Sequence, residues 1–279
     1  MNPALILIAL VMILILYLPV IVKLARQWLG DSNYRHGLLI PIVSAIALWK
    51  KRDFFRHARV GGDTFSGLLL MAASSVLLIG GTAASELFTA RLSLPVFLIG
   101  ATLFIFGRAI TAAAIPSLLF LFMMIPLPYI IYYKVTFPLQ LLSARLAAGA
   151  LGFAGVSVIR EGNILYLPNY ALEVVAACSG LRSLMTMLTL ALVFAMFSTM
   201  SPIKKLLLSL SAVPIAVAAN VVRLTVTALG AYTIGPQFAD GTIHEISGLI
   251  VFVTGFILLM ITAGILKWIK LNRRGPLSS

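Results

Sequence analysis

A thiol, a guanidinium and an imidazole stand out in the C-terminal half of this chain because their surroundings are so apolar. Cys178 is the only cysteine among 279 residues and lies in the run Ala-Ala-Cys-Ser-Gly-Leu-Arg-Ser at 176–183. Arg223 sits inside a long apolar stretch, and His244 stands just before the last one. Thiols serve as nucleophiles, imidazoles as general acids and bases, and guanidiniums as donors to developing negative charge. If the three meet at one face of a membrane, they form a catalytic set and not a packing set.

Each residue also has a bland reading. A lone cysteine in an apolar segment is usually a small buried hydrophobe. Here Ser179 and Gly180 leave room for close approach, and glycine frees the backbone near a helix start. A helix N-terminus lowers a thiol pKa from its reference near 8.5, and Arg182, one turn on, adds positive potential. Arg223 costs at least about 2.5–3.5 kcal/mol within a membrane helix unless it snorkels outward. Asn220, three residues earlier, shares its helix face, so the pair suggests a lined cavity. A lone loop histidine is more often solvated than catalytic. In His-Glu-Ile-Ser-Gly (244–248), however, Glu245 or a backbone carbonyl can orient the His244 ring. The three histidines are scattered without zincin spacing, and no glycine-rich phosphate loop is present, so neither metal nor cofactor is expected.

The elements that must position these groups follow from composition. The chain is 61% hydrophobic and 10% charged, well above the apolar content of ordinary soluble domains, which predicts a polytopic all-α membrane protein. A net charge of +13 would suggest nucleic acid in a soluble protein; here it reads as cytoplasmic-loop lysine and arginine, with no nucleic-acid partner. A single cysteine excludes an internal disulfide. The N-terminus lacks a basic n-region and a small-residue cleavage site, so residues 4–22 read as a retained span. No polar segment is long enough to fold alone, so residues 1–279 are expected to form one integral membrane domain.

Apolar runs predict about eight spans: 4–22, 37–49, 64–83, 92–107, 110–130, 180–200, 205–230 and 247–267. Placing the basic loop 50–59, the Lys204–Lys205 pair and the tail with Lys267, Lys270, Arg273 and Arg274 inside puts both termini in the cytoplasm. Cys178 then falls at the outer start of the sixth span, and His244 about one turn before the eighth. Arg223 lies about seven residues, or roughly 10 Å, from the outer end of the seventh. All three arrive at one depth.

Residues 128–178 form the one long outer segment. Pro126, Pro128 and Pro138 at its opening discourage a straight helix. Residues 137–155 are expected to lie along the interface as an amphipathic helix. Residues 156–159 and 164–167, joined through Glu161-Gly-Asn163, predict a short β-hairpin leading to Cys178. The segment can roof a site at the membrane surface or be an ordinary extracytoplasmic loop.

Three motifs carry a resemblance: Ala-Cys-Ser-Gly-Leu-Arg-Ser at 177–183, Asn-x-x-Arg at 220–223, and His-x-x-x-Gly-x-x-x-Phe at 244–252. Asp-x-x-Tyr-x-His-Gly-x-Leu-Ile-Pro at 31–41 adds to them. In that order the chain resembles the exosortase/archaeosortase family of membrane-embedded cysteine transpeptidases. The resemblance implies Cys178 as nucleophile, His244 as acid/base and Arg223 as stabiliser of oxyanion or thiolate, within a catalytic half at 170–267. It implies membrane-anchored protein substrates with a C-terminal sorting signal (a short motif such as Pro-Glu-Pro, a transmembrane helix and a basic tail), passed to an envelope acceptor. The setting it implies is a bacterial inner membrane with the active site on the outer side and the lipid bilayer as partner. Arg182 can hold the acidic residue of the motif. Asp31 and His36 either shape the site from the first outer loop or serve only in capping and interface packing. Two rival classes stay open. One is a transporter of an anionic solute bound by Arg223 and Asn220, although no internal repeat is visible. The other is a non-catalytic component of an exopolysaccharide system.

Overall fold

The computed structural model describes residues 3–31, 33–58, 60–168, 170–174, 181–238 and 242–269, with backbone alone at 3–10, 14, 181–182, 236, 242–247 and 250. The described chain is predominantly helical, with one small sheet, and divides into two compact units, Met1–Pro128 and Tyr129–Ser279. Four helices are long and apolar enough to cross a bilayer: Thr64–Ala83, Leu87–Phe106, Pro202–Thr233 and the segment Val251–Trp268. A fifth span arises if Arg108–Met124 and Tyr129–Phe153 form one broken crossing. This is a membrane protein.

The first unit holds helices α1 (Pro3–Gly30), α2 (Leu39–Trp49), α3 (Arg52–His57), α4 (Thr64–Ala83), α5 (Leu87–Phe106) and α6 (Arg108–Phe120). The apolar run of α1 stops at Lys23, but lysine and arginine are good helix formers, so the helix continues well past the expected residue 22. A 3-10 turn at Arg35–Leu38 feeds α2, and another at Leu121–Met124 ends the α6 segment short of the expected residue 130. Pro126 and Pro128 follow that break, as the missing N–H and the restricted preceding residue require. Long-range hydrogen bonds tie the unit together. Trp28 Nε1 donates to the Met124 carbonyl at 2.9 Å, and Ser44 Oγ to that of Ser117 at 2.8 Å.

Helices α4 and α5 form a close hairpin because small residues face it. A Cβ on Gly67 would stand 2.5 Å from both the Cα and N of Phe104, while one on Gly80 would meet nothing within 4 Å. Backbone atoms cannot swing aside. Gly67→Ala is therefore expected to destabilise the protein by about 1–3 kcal/mol, the usual range for overpacking. Gly80→Ala on the same helix should be neutral or slightly stabilising. Unfolding midpoints in mixed micelles distinguish the two; equal midpoints would refute the close approach.

At the far end of this hairpin Asp63 caps α4, its Oδ1 accepting from Ser66 N at 3.1 Å, while its Oδ2 accepts from Arg108 Nε at 2.6 Å. The Arg108 hydrogen bond, followed by the Ser66 backbone N–H, holds the Asp63 carboxyl below its ordinary pKa. A depressed carboxyl pKa adds stability above the unfolded value, near 3.9, and that stability is lost as pH falls through the folded value. Wild type should thus melt above Arg108→Gln at pH 7, with the gap closing as pH drops below about 4. A gap constant from pH 7 to pH 3 would rule out the pairing as its source.

The second unit begins with α7 (Tyr129–Phe153), longer than the expected 137–155 segment at its start and continuous through Pro138. A three-stranded antiparallel sheet follows: β1 (Ile159–Glu161), β2 (Ile164–Leu167) and β3 (Tyr170–Glu173), in that order. The expected hairpin is present, turning at Gly162 with φ 60°. Its first strand starts at Ile159 and not at Val156, and β3 is an addition to it. Helices α8 (Leu181–Phe197), α9 (Pro202–Thr233) and α10 (Thr242–Trp268) complete the unit. Proline at the first position of α9 suits a helix start, where the absent N–H has no intrahelical partner.

Candidate active site

The three C-terminal helices share an apolar core. Met187 and Ala191 of α8, Leu208, Ala212 and Ala216 of α9, and Leu259 and Ala263 of α10 are buried together. One end of this bundle is pinned by polar contacts. Lys204 Nζ, near the start of α9, donates to the Ile269 carbonyl just past α10 at 2.7 Å. Lys267 Nζ lies 5.4 Å from the centre of the Phe194 ring, near the end of α8. The end of α8, the start of α9 and the end of α10 thus meet, so the helices alternate in direction.

Distances from the pinned end follow from helical rise. Thirteen residues from Phe194 back to Leu181 span roughly 20 Å, nineteen from Lys204 to Arg223 roughly 28 Å, and twenty-three from Lys267 back to His244 roughly 35 Å. The start of α8, Arg223 and the start of α10 therefore gather toward the opposite end of one bundle. His244 is the third residue of α10, inside the helix and not in the loop expected before it.

A second core joins the far half of α9 to the sheet. Leu224 and Ala228 of α9 pack with Ala144, Ala147 and Leu151 of α7 and with Leu165, Leu167, Leu172 and Val174. Val174 is fully buried and doubly held: its N–H donates to the Asn163 carbonyl at 2.9 Å, and its carbonyl accepts from Asn163 Nδ2 at 3.2 Å. The chain that leads toward Cys178 is therefore fastened to the sheet four residues before the thiol. Arg223, the residue before Leu224 on α9, is partly buried.

Asn220 is almost fully buried and donates from Nδ2 to Ser143 Oγ on α7 at 3.2 Å. Ser143 belongs to a set that the sequence reading did not single out. Thr136, Gln140 and Ser143 are all buried, and their i, i+4, i+7 spacing puts them on one face of α7. Asn220, Arg223 and Thr227 stand at i, i+3, i+7 on α9. The signal was present in the 3.6-residue period of polar side chains within an apolar helix.

The expected site residues are placed unevenly. Cys178 lies outside the described residues. Arg182, His244 and Glu245 are described by backbone alone, in the first turns of α8 and α10. Arg223 and Asn220 occupy one face of α9, as their spacing requires. Asp31 and His36 belong to the first unit. The Asp31 carboxylate accepts from Asn33 N at 2.9 Å, a local turn bond, and the His36 ring lies 6.5 Å from that of Tyr34. Among the described residues no group of three or more His, Cys, Asp or Glu side chains is arranged to hold a metal.

Comparison with known proteins adds one finding. The profile of a family described as transmembrane exosortase matches residues 28–261, well over half of the chain. No curated protein and no solved structure matches it.

Proposed function

The chain belongs to the transmembrane exosortase family, and from that premise we propose that it is a cysteine transpeptidase acting at the outer surface of a bacterial inner membrane. Its substrates are membrane-anchored proteins ending in a sorting motif, a transmembrane helix and a basic tail. The observation that carries the reading is the shared core of Leu224, which follows Arg223, and Val174, which precedes Cys178 by four residues. Three residues from Leu181 to Cys178 reach at most roughly 10 Å. That bounds the thiol to a level roughly 10–30 Å from the pinned end, a range that includes the roughly 28 Å of Arg223.

In this reading the chain crosses the bilayer eight times, through α1, the segment 35–49, α4, α5, the α6 segment, α8, α9 and α10, with α7 and the sheet at the outer interface. Both termini are cytoplasmic. The Cys178 thiolate adds to the scissile carbonyl carbon, forming a C–S bond and an oxyanion that accepts hydrogen bonds from Arg223. A donor of this kind is worth about 2.7–4 kcal/mol. His244 protonates the leaving nitrogen as the C–N bond breaks, leaving a thioester. It then takes the proton from the acceptor nucleophile, which displaces the Cys178 thiolate and restores the starting thiolate–imidazolium pair. Arg182, in the first turn of α8, adds positive charge for an acidic motif residue, and Glu245 orients the imidazole.

The test is capture of the intermediate. The full chain is co-expressed with a tagged substrate bearing a Pro-Glu-Pro motif, a transmembrane helix and a basic tail, and with a panel of motif variants. Intact-mass analysis should find a thioester adduct on Cys178 and a shortened substrate. Processing of any panel member by a folded Cys178→Ala protein would defeat the nucleophile assignment. A panel in which no member is cleaved or captured counts against the transpeptidase reading.

A further inference from the structure

Arg91 lies in the second turn of α5 and is only 5% exposed. Its Nε is buried without a hydrogen-bond acceptor among the described residues. The side chain lines a crevice of about 130 Å³ between α1, α4 and α5, whose wall also includes Lys23, Pro19, Val20, Thr82 and Ser85. Two cations face one small space within the first unit, and the cysteine chemistry of the second unit uses neither.

Nearby negative charge is committed elsewhere. Glu86 and the Tyr34 phenol are the groups close enough to act electrostatically on Arg91, and Glu86 is the carboxylate of the two. Its two carboxylate oxygens already cap α5, accepting from Phe88 N at 3.0 Å and Thr89 N at 2.6 Å. Two carbonyls at the end of α4 are engaged as well. Gly81 O accepts from Glu86 N at 2.8 Å and Thr82 O from Ser85 N at 3.1 Å, the two bonds of a Schellman turn. Ser85 holds the left-handed position of that turn, φ 55°, which normally falls to glycine. The crevice thus holds a guanidinium and an ammonium group, while the one carboxylate near Arg91 is occupied as a helix cap.

Depth narrows the ligand. Helices α4 and α5 are both apolar enough to cross a membrane, and only three residues, 84–86, join them. A link that short between two spans lies at the bilayer–water boundary. A crevice at its foot is level with lipid phosphates, and its walls at Pro19 and Val20 are apolar. A guanidinium and an ammonium at this level can pair with the phosphate of a lipid head group in either leaflet.

We propose that the crevice between α1, α4 and α5 binds a phosphate oxyanion, supplied by the head group of a membrane lipid and held by Arg91 from within and Lys23 from the mouth. Lys23 is exposed, so its replacement leaves the packing intact.

The experiment uses the full chain in detergent, titrated with phosphatidylglycerol and read by native mass spectrometry, with inorganic phosphate as competitor. Wild type should retain the lipid. Lys23→Gln should weaken retention about fivefold, the worth of one basic residue near a lipid phosphate. Arg91→Gln should weaken it tenfold or more, and Arg91→Lys less than Arg91→Gln. Circular dichroism and elution volume check the fold, and if Arg91→Gln fails them, the Lys23→Gln result decides. Lipid retention unchanged in Lys23→Gln and in folded Arg91→Gln overturns the proposal. Displacement of the lipid by millimolar inorganic phosphate, sensitive to Arg91, would keep the oxyanion site and overturn the lipid as its source.

Discussion

Cys178→Ala, folded and inserted, is expected to show no transpeptidation above background, a loss of at least about a thousandfold in kcat. The thiol forms the covalent bond in the proposed cycle, and no neighbouring group replaces it: Ser179 offers a hydroxyl whose nucleophilicity at neutral pH is far below that of a thiolate. His244→Ala should cost nearly as much. Because nucleophile and base act as a unit, the double variant should be no worse than the more damaged single one, whereas two independent contributors would multiply. Since the chain has a single cysteine, any alkylation reports on this thiol alone. Iodoacetamide labelling against pH therefore measures its ionisation without further engineering, and prior alkylation should abolish turnover in proportion to labelling. Full activity after stoichiometric labelling would end the proposal.

Arg223→Gln is the second large effect, a fall of about 10²–10³ in kcat, the usual consequence of removing one oxyanion donor. Arg223→Lys restores charge without the planar fork and should recover only part of the loss. The pattern also separates the two roles open to this residue. If Arg223 donates to the oxyanion, Arg223→Gln lowers kcat and leaves the alkylation pH profile of Cys178 in place. If it stabilises the thiolate, the profile moves to higher pH in step with the activity loss. Asn220 provides the control for packing: its bond to Ser143 Oγ ties α9 to α7, so Asn220→Ala should lower the unfolding midpoint as well as activity. A wild-type rate in Arg223→Gln would remove this residue from the mechanism.

Parts of this architecture were plain from the sequence for identifiable reasons. Helix α4 matches its expected bounds because Asp63 supplies an N-cap, the run behind it is uncharged, and Glu86 caps the next helix at once. The β1–β2 hairpin was legible from Gly162 and Asn163 between short alternating segments. Strand β3 escaped because four residues, Tyr170–Glu173, carry too little periodicity to separate strand from loop; their partner, not their sequence, makes them a strand. The start of α10 was misplaced because His244 and Glu245 read as loop polarity, although polar residues are ordinary in the first turn of a helix. The polar face of α7 was missed for a related reason. Thr136, Gln140 and Ser143 look like the wet side of an interfacial helix, and only their burial reveals that they face protein.

The contact between Lys204 and the carbonyl of Ile269 also bears on how the protein is made. The proposed nucleophile, stabiliser and base come from successive helices, in the order Cys178, Arg223, His244. A ribosome adding roughly 5–20 residues per second delivers the thiol several seconds before the last helix. During that interval the nucleophile is inserted without its base, and the contact between Lys204 and Ile269 forms only after the final turn of α10 has emerged. If the proposed chemistry holds, a newly inserted chain stays chemically silent until α10 has been made.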